Sequence, residues 1–351
     1  MPSRARCYGR GVEASREQTV LVTGGSGFLG GWCLVELLRR GYRVRGTVRE
    51  PSREAEVRAR VGREVDAGDR LSFCVANLES DEGWEQAAQG CDFVLHVASP
   101  FPPVQPKDPD ELIVPAREGT LRVLQAGLAA GVGRVVLTSS VAAVRGGVEE
   151  ASAPLTEAAW TDPDDLRLEP YTRSKTIAER AAWDLVGKRG ERDRLAAVNP
   201  GAILGPVLGT ENSFSLQMVE RLLDGVPGTP RIGYSVVDVR DVADLQIRAM
   251  TATQAGGERF IAATGFLWMG EVAAILREQL GAAAPKVPKR SLPDIAVRAM
   301  GLFDPSVRSV ARQLGQRVEL SSEKARAELG WSPRPVAETV VDCARSLLER
   351  E

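Results

Sequence analysis

The stretch "VTGGSGFLG", residues 22–30, decides the fold. It closes an apolar run, "TVLVTG" from Thr19, which reads as a buried strand. It opens "GFLGGWCLVELLRRG", whose apolar residues keep helical spacing until Gly41, a plausible helix stop. Gly24, Gly27 and Gly30 stand in G-x-x-G-x-x-G spacing at the junction. In such a turn one glycine makes the tight bend, one lets the backbone approach a pyrophosphate, and one lets helix and strand pack closely. The free N–H groups of the helix start then face the phosphates. Gly24, Gly27, Phe28, Leu29 and Gly30 are therefore candidate cofactor contacts.

Working outward, the same alternation repeats. "YRVRGTVR", "RLSFCVANL", "DFVLHVAS", "RVVLTSSVAAV" and "DRLAAVNPGAILGP" read as strands two to six, with helical stretches such as "EGWEQAAQGC", "LIVPAREGTLRVLQAGLAAGV" and "SKTIAERAAWDLVGKRG" between them. Strands alternating with helices predict an α/β, Rossmann-type doubly wound parallel sheet. Beyond Pro206 the pattern loosens. "YSVVDVRDVADLQIRAM" reads as a strand and then a helix with an Asp at its start, and "GERFIAATG" as a further strand. From about Leu267 the chain reads as mostly helical. The expected organisation is a poorly ordered leader over 1–18, a dinucleotide-binding domain over 19–205 to which 236–263 returns, and a smaller, mostly helical substrate lobe from 206–235 and 264–351.

Composition narrows the function classes. The 351 residues carry 45 basic and 47 acidic side chains, a net charge of −2, so no basic footprint for nucleic acid or a membrane surface is present. No apolar run is long enough to span a bilayer. Five scattered cysteines without a C-x-x-C, and a single histidine, His96, offer neither a disulfide framework nor a metal-ligand set. The expected setting is cytoplasmic, with a monomer or homodimer acting on a small molecule.

The end of the second strand selects the cofactor. An acidic residue there holds a ribose 2′-OH, whereas arginine accommodates a 2′-phosphate. The chain reads "RVRGTVREPSR", with Arg49 at the strand end and Arg53 close by, although Glu50 follows Arg49. NADPH is the expected cofactor.

"YTRSK", residues 171–175, places a tyrosine and a lysine four apart, on one helix face. His96, Trp84, Trp160, Trp183 and Trp331 read as structural residues. Phe214, Met218 and Leu222 share helical spacing and serve either a core or an apolar pocket.

Taken together, "VTGGSGFLG", "VRGTVREPS", "VLHVASPF", "GTLRVLQA", "VVLTSSVAAV", "YTRSK", "NPGAILGP", "DVRDVADLQIRAM" and "SSEKARAELGW" resemble the extended short-chain dehydrogenase/reductase family, in its dihydroflavonol-reductase-like branch with the bacterial aldehyde/ketone reductases. The resemblance runs from about Thr19 to Leu348. It implies that Ser140, in the strand ending "TSS", meets the substrate carbonyl, and that Tyr171 and Lys175 are the catalytic pair. It further implies cofactor contacts at Arg49, Arg53, Val97, Ala98, Ser99, Tyr171, Lys175 and Pro200. The family usually ends its third strand in Asp-Leu beside the adenine; Asn77 and Leu78 stand there, and an amide both donates and accepts.

The chemistry that follows is reduction of an aldehyde or ketone to an alcohol. Tyrosine is a weak acid, with an ordinary pKa of about 10. A lysine ammonium one turn away is expected to lower that value, and Ser140 to orient the carbonyl oxygen. The apolar, weakly charged C-terminal lobe suggests an uncharged, partly hydrophobic substrate. Alternatives are an NAD-dependent sugar-nucleotide epimerase or dehydratase, a hydroxysteroid dehydrogenase, and a non-catalytic dinucleotide sensor.

Overall fold

A computed structural model describes residues 18–100, 108–210 and 213–350. The expected leader lies, but for its last residue, outside them. Among the described residues ten strands are present: β1 Thr19–Thr23, β2 Arg43–Val48, β3 Leu71–Val75, β4 Phe93–His96, β5 Arg134–Thr138, β6 Leu195–Pro200, β7 Ala202–Leu204, β8 Gly233–Asp238, β9 Arg259–Ala262 and β10 Gly265–Trp268. Seven of them form the main sheet in the order β3-β2-β1-β4-β5-β6-β9, every pair parallel. Helices cover both faces, so the architecture is the doubly wound one.

Alternation along β1 shows how the layers are made. Val20 and Val22 face one core together with Leu34, Leu38 and Phe260. Leu21 points to the other, among Val94, Leu128 and Trp183. Each fully buried large side chain of this kind contributes about 1.5–3 kcal/mol. The first core continues into the C-terminal part of the chain through Leu216, Val219, Leu276 and Trp331.

The helix Val239–Thr251 starts on Asp238, whose carboxylate accepts the Arg240 N–H at 2.8 Å. It lies beside the helix Phe28–Arg39, with Arg40 reaching Asp244 at 2.5 Å. Its Gln246 donates to the Thr138 hydroxyl at 2.7 Å, tying it to the end of β5.

Four details depart from the sequence reading. The fifth strand stops at Thr138, and Ala142–Arg145 is a short helix. The sixth stretch bends at Gly201 and divides into β6 and β7. A side chain at Gly201 would put its Cβ 2.2 Å from the Ser235 carbonyl oxygen, so only glycine lets the backbone leave one sheet for the other. β7, β8 and β10 form a second, three-stranded sheet, β10 antiparallel to β8. Residues 236–238 thus belong to that small sheet rather than returning to the main one, and the C-terminal part, expected to be mostly helical, also contains a strand, β10. Finally, Arg53–Gly62 is a helix.

The sheet order reverses between β1 and β4. In such sheets ligands lie outside the carboxyl ends of the strands on either side of the reversal. Here those ends are Thr23–Gly24 and His96–Ser99.

Candidate active site

The glycine turn is fixed from below by two threonines. The Thr23 hydroxyl accepts the N–H groups of Val97 and Ala98, both at 3.0 Å, and Thr47 accepts the Gly24 N–H at 3.0 Å. Gly24 has φ +71°, and a Cβ there would meet Ala98 Cα at 3.0 Å. A Cβ on Gly30 would stand 2.1 Å from the Gly24 carbonyl oxygen. Gly27 caps the helix that Phe28 and Leu29 open, and a Cβ there meets only the Gly24 oxygen, at 3.3 Å. The turn therefore keeps its outer face free of side chains beside unsatisfied helix N–H groups, which fits a pyrophosphate.

The other expected cofactor positions lie around this turn. Arg49 is exposed at the end of β2, and its guanidinium has no ion pair among the described residues. Arg53 is exposed too, but pairs with Glu56 at 3.1 Å. Asn77 is exposed, and its side-chain oxygen accepts the Glu79 N–H at 3.2 Å. Leu78 is buried. Across the strand ends, Ala98, Ser99, Thr138, Lys175 and Glu179 border one crevice.

β5 delivers Ser139 and Ser140, both buried, to the floor of the site. The Ser140 hydroxyl accepts the Ala142 N–H at 3.1 Å, which starts the short helix there. Tyr171 stands in the first turn of the helix Pro170–Arg189, whose N-terminal proline is well suited to that position. Tyr171 and Ser140 share a side-chain hydrogen bond. Lys175, one turn on, is buried, and its ammonium donates to the Thr138 carbonyl at 3.4 Å. The three polar groups expected from the sequence thus meet at the end of β5. Pro200, buried at the end of β6, accepts the Val141 N–H at 3.0 Å and so flanks Ser140.

The electrostatics differ from the expectation. Burial raises the Tyr171 phenol above its ordinary value, and the Ser140 hydrogen bond opposes this. Burial and Ser140, rather than the expected downward pull of Lys175, set the phenol's value. Burial lowers Lys175 to about 8, with the Glu179 carboxylate acting in the other direction. His96 is buried and its Nδ1 lies 2.9 Å from the Thr23 hydroxyl. That oxygen already accepts two N–H groups, so it donates to Nδ1, and the imidazole is neutral. Burial and the nearby Lys175 charge lower His96 to about 3.

The family profile of NAD-dependent epimerases and dehydratases matches residues 20–263. The chain is a member of this family. A cinnamoyl-CoA reductase from Petunia hybrida is 32% identical over 95% of this chain and 93% of its own length. A dihydroflavonol 4-reductase from Zea mays is 34% identical over 77% of this chain and 76% of its own. Among solved structures, the yeast methylglyoxal/isovaleraldehyde reductase complexed with NADPH superposes with a TM-score of 0.79 at 26% identity, over 95% of this chain and 98% of that one.

Within this family member the sequence reading overlooked the scaffold behind the site. Glu179, one further turn along the Tyr171 helix, is fully buried. It accepts the Ser139 hydroxyl at 2.5 Å, the Asn199 amide at 2.8 Å and the Trp183 indole at 3.2 Å. It also pairs with Arg259 of β9 at 2.6 Å. Asn199 donates as well to the Ser140 carbonyl at 3.1 Å. Trp160, read as packing, is partly exposed and lies beneath the Arg259 guanidinium at 3.6 Å. The available signal was a glutamate at Lys175+4, on the same helix face.

Proposed function

We propose that the protein reduces an aldehyde or ketone to the corresponding alcohol, using NADPH. The observation that carries this reading is the meeting of Ser140, Tyr171 and Lys175 beside a glycine turn able to hold a dinucleotide. The named relatives, reductases acting on carbonyl-type groups, and the solved NADPH complex support it. Gly24, Gly27 and the helix start beyond them would hold the pyrophosphate, and Arg49 the 2′-phosphate.

When bound, the nicotinamide supplies the hydride. The protein supplies orientation and a proton. Ser140 orients the carbonyl oxygen and donates to it as negative charge develops there. Tyr171 then transfers its proton to that oxygen, giving the alcohol and leaving a phenolate that solvent reprotonates. The phenol is protonated at neutral pH and so has a proton to give. Lys175 places a positive charge at the same strand end, to hold ribose hydroxyls and stabilise the transient phenolate.

The test is a panel of aldehydes, ketones and diketones assayed with NADPH and with NADH. NADPH consumption on at least one class, with NADH markedly poorer, is the expected outcome. Purified protein that carries oxidised cofactor and consumes none on any carbonyl would instead assign an epimerase or dehydratase activity.

A further inference from the structure

We propose that Arg145 and Tyr234 form a carboxylate-binding subsite beside the reacting carbonyl, so that the preferred substrate is an aldehyde or ketone bearing a carboxylate. The proposal rests on the carbonyl-reduction reading and names its substrate class. The sequence suggested an uncharged substrate because the C-terminal part is poor in charge, but this cation comes from the other side, from the short helix after β5.

Arg145 ends the helix Ala142–Arg145, which begins two residues past Ser140. Its side chain is half-buried, and its guanidinium has neither an ion pair nor a hydrogen bond among the described residues. Other arginines in this part of the chain are satisfied: Arg259 by Glu179, Arg240 by Asp238 and Arg231 by Asp294. Burial lowers the Arg145 guanidinium, and the group that acts against this is Tyr234. The Tyr234 hydroxyl is likewise without a hydrogen bond among the described residues, and burial raises it. Two donors, a planar cation and a phenol, thus stand close together and unpaired.

Backbone contacts bring the segments that carry them beside Ser140. The Val141 N–H bonds the Pro200 carbonyl, and Gly201 is in close contact with Ser235, the neighbour of Tyr234. Ser140–Val141, Pro200–Gly201 and Tyr234–Ser235 therefore lie side by side. Phe214, exposed, meets the Tyr234 ring edge-on at 6.4 Å and offers an apolar wall. The cofactor phosphates belong at β1 and β2, on the other side of the sheet reversal, so they do not neutralise Arg145. A partly desolvated cation without a counter-ion is costly. A planar carboxylate would satisfy the guanidinium fork with charge-assisted bonds.

The test compares 4-formylbenzoate and 3-formylbenzoate with their methyl esters, at saturating NADPH, in wild type, Arg145→Met and Arg145→Lys. The acid-to-ester ratio of kcat/KM should fall about tenfold or more in Arg145→Met, mainly through KM of the acid, and less in Arg145→Lys. A ratio unchanged by Arg145→Met overturns the proposal. Calorimetric titration of benzoate into the enzyme–NADP⁺ complex gives an independent reading, and Arg145→Met should weaken it about tenfold. If no aldehyde consumes NADPH, the carbonyl-reduction reading fails, yet the titration still decides: equal benzoate affinity in both proteins, or binding to neither, overturns the subsite. Should Arg145→Met not fold, Tyr234→Phe is put through both measurements, and an unchanged ratio and affinity there overturn it.

Discussion

Glu179 and Arg259 form a buried ion pair that stands directly behind Ser139 and Ser140. The carboxylate also takes bonds from Ser139 and from Asn199, which holds the Ser140 carbonyl. Removing one partner leaves the other charged and buried, at a cost of about 3–5 kcal/mol. Glu179→Ala should lose that much in urea unfolding. Glu179→Gln, which keeps the shape, should fold better and still lower kcat more than it raises KM, because Ser140 is held less firmly. A Glu179→Gln variant with wild-type kcat would restrict the pair to a structural role.

Tyr171 is the proposed proton donor. Tyr171→Phe removes one oxygen from a buried site and should lower kcat by about two orders of magnitude or more. NADPH affinity, read by fluorescence titration, should stay within about threefold, well under 1 kcal/mol. Near-normal turnover would transfer the donor role elsewhere, with Ser140 the first candidate.

Lys175 titrates near 8 rather than in the ordinary lysine range. It is charged below that value and neutral above it. If the ammonium helps hold the nicotinamide ribose, NADPH affinity should fall as pH rises through about 8, by up to tenfold per pH unit. Lys175→Met should bind more weakly and lose this dependence. A wild-type affinity that stays flat from pH 7 to 9 argues against the contact.

His96 is linked to folding. Its folded value, about 3, lies below the ordinary histidine value. Between the two, the unfolded chain binds the extra proton, so stability falls as pH drops through that window, by up to about 1.4 kcal/mol per pH unit. His96→Gln should flatten the acid limb of stability between pH 6 and 4. An unaltered slope would assign acid sensitivity to other groups.

Much of this candidate site is legible in the sequence because its signals are local. A glycine turn must follow a strand and open a helix, and Gly24, Gly27 and Gly30 announce it within nine residues. Tyr171 and Lys175 share a helix face that spacing alone reveals. Glu179 and Arg259 lie 80 residues apart in sequence and meet only through the β6–β9 pairing. Arg145 is hidden in the sequence because "SSVAAVR" reads as a continuing strand, whereas the chain turns into a helix at Ala142, whose N–H the Ser140 hydroxyl accepts. β10 was missed because four half-buried residues, Gly265–Trp268, carry too little alternation to signal a strand.

Cofactor preference should rest on Arg49 far more than on Arg53. Arg49 is exposed at the end of β2 and has no ion pair among the described residues, whereas Arg53 already pairs with Glu56. A charge-assisted bond to a 2′-phosphate is worth about 1.5–3 kcal/mol. Arg49→Ala should therefore lower the NADPH-to-NADH ratio of kcat/KM by roughly ten- to a hundredfold, through KM for NADPH, with little change in KM for NADH. Arg53→Ala should shift the same ratio by only a few-fold, since its partner must first be given up. Kinetics with both cofactors on one aldehyde separate the two. A larger effect at Arg53 would mean that the phosphate sits over the start of the Arg53–Gly62 helix rather than at the strand end.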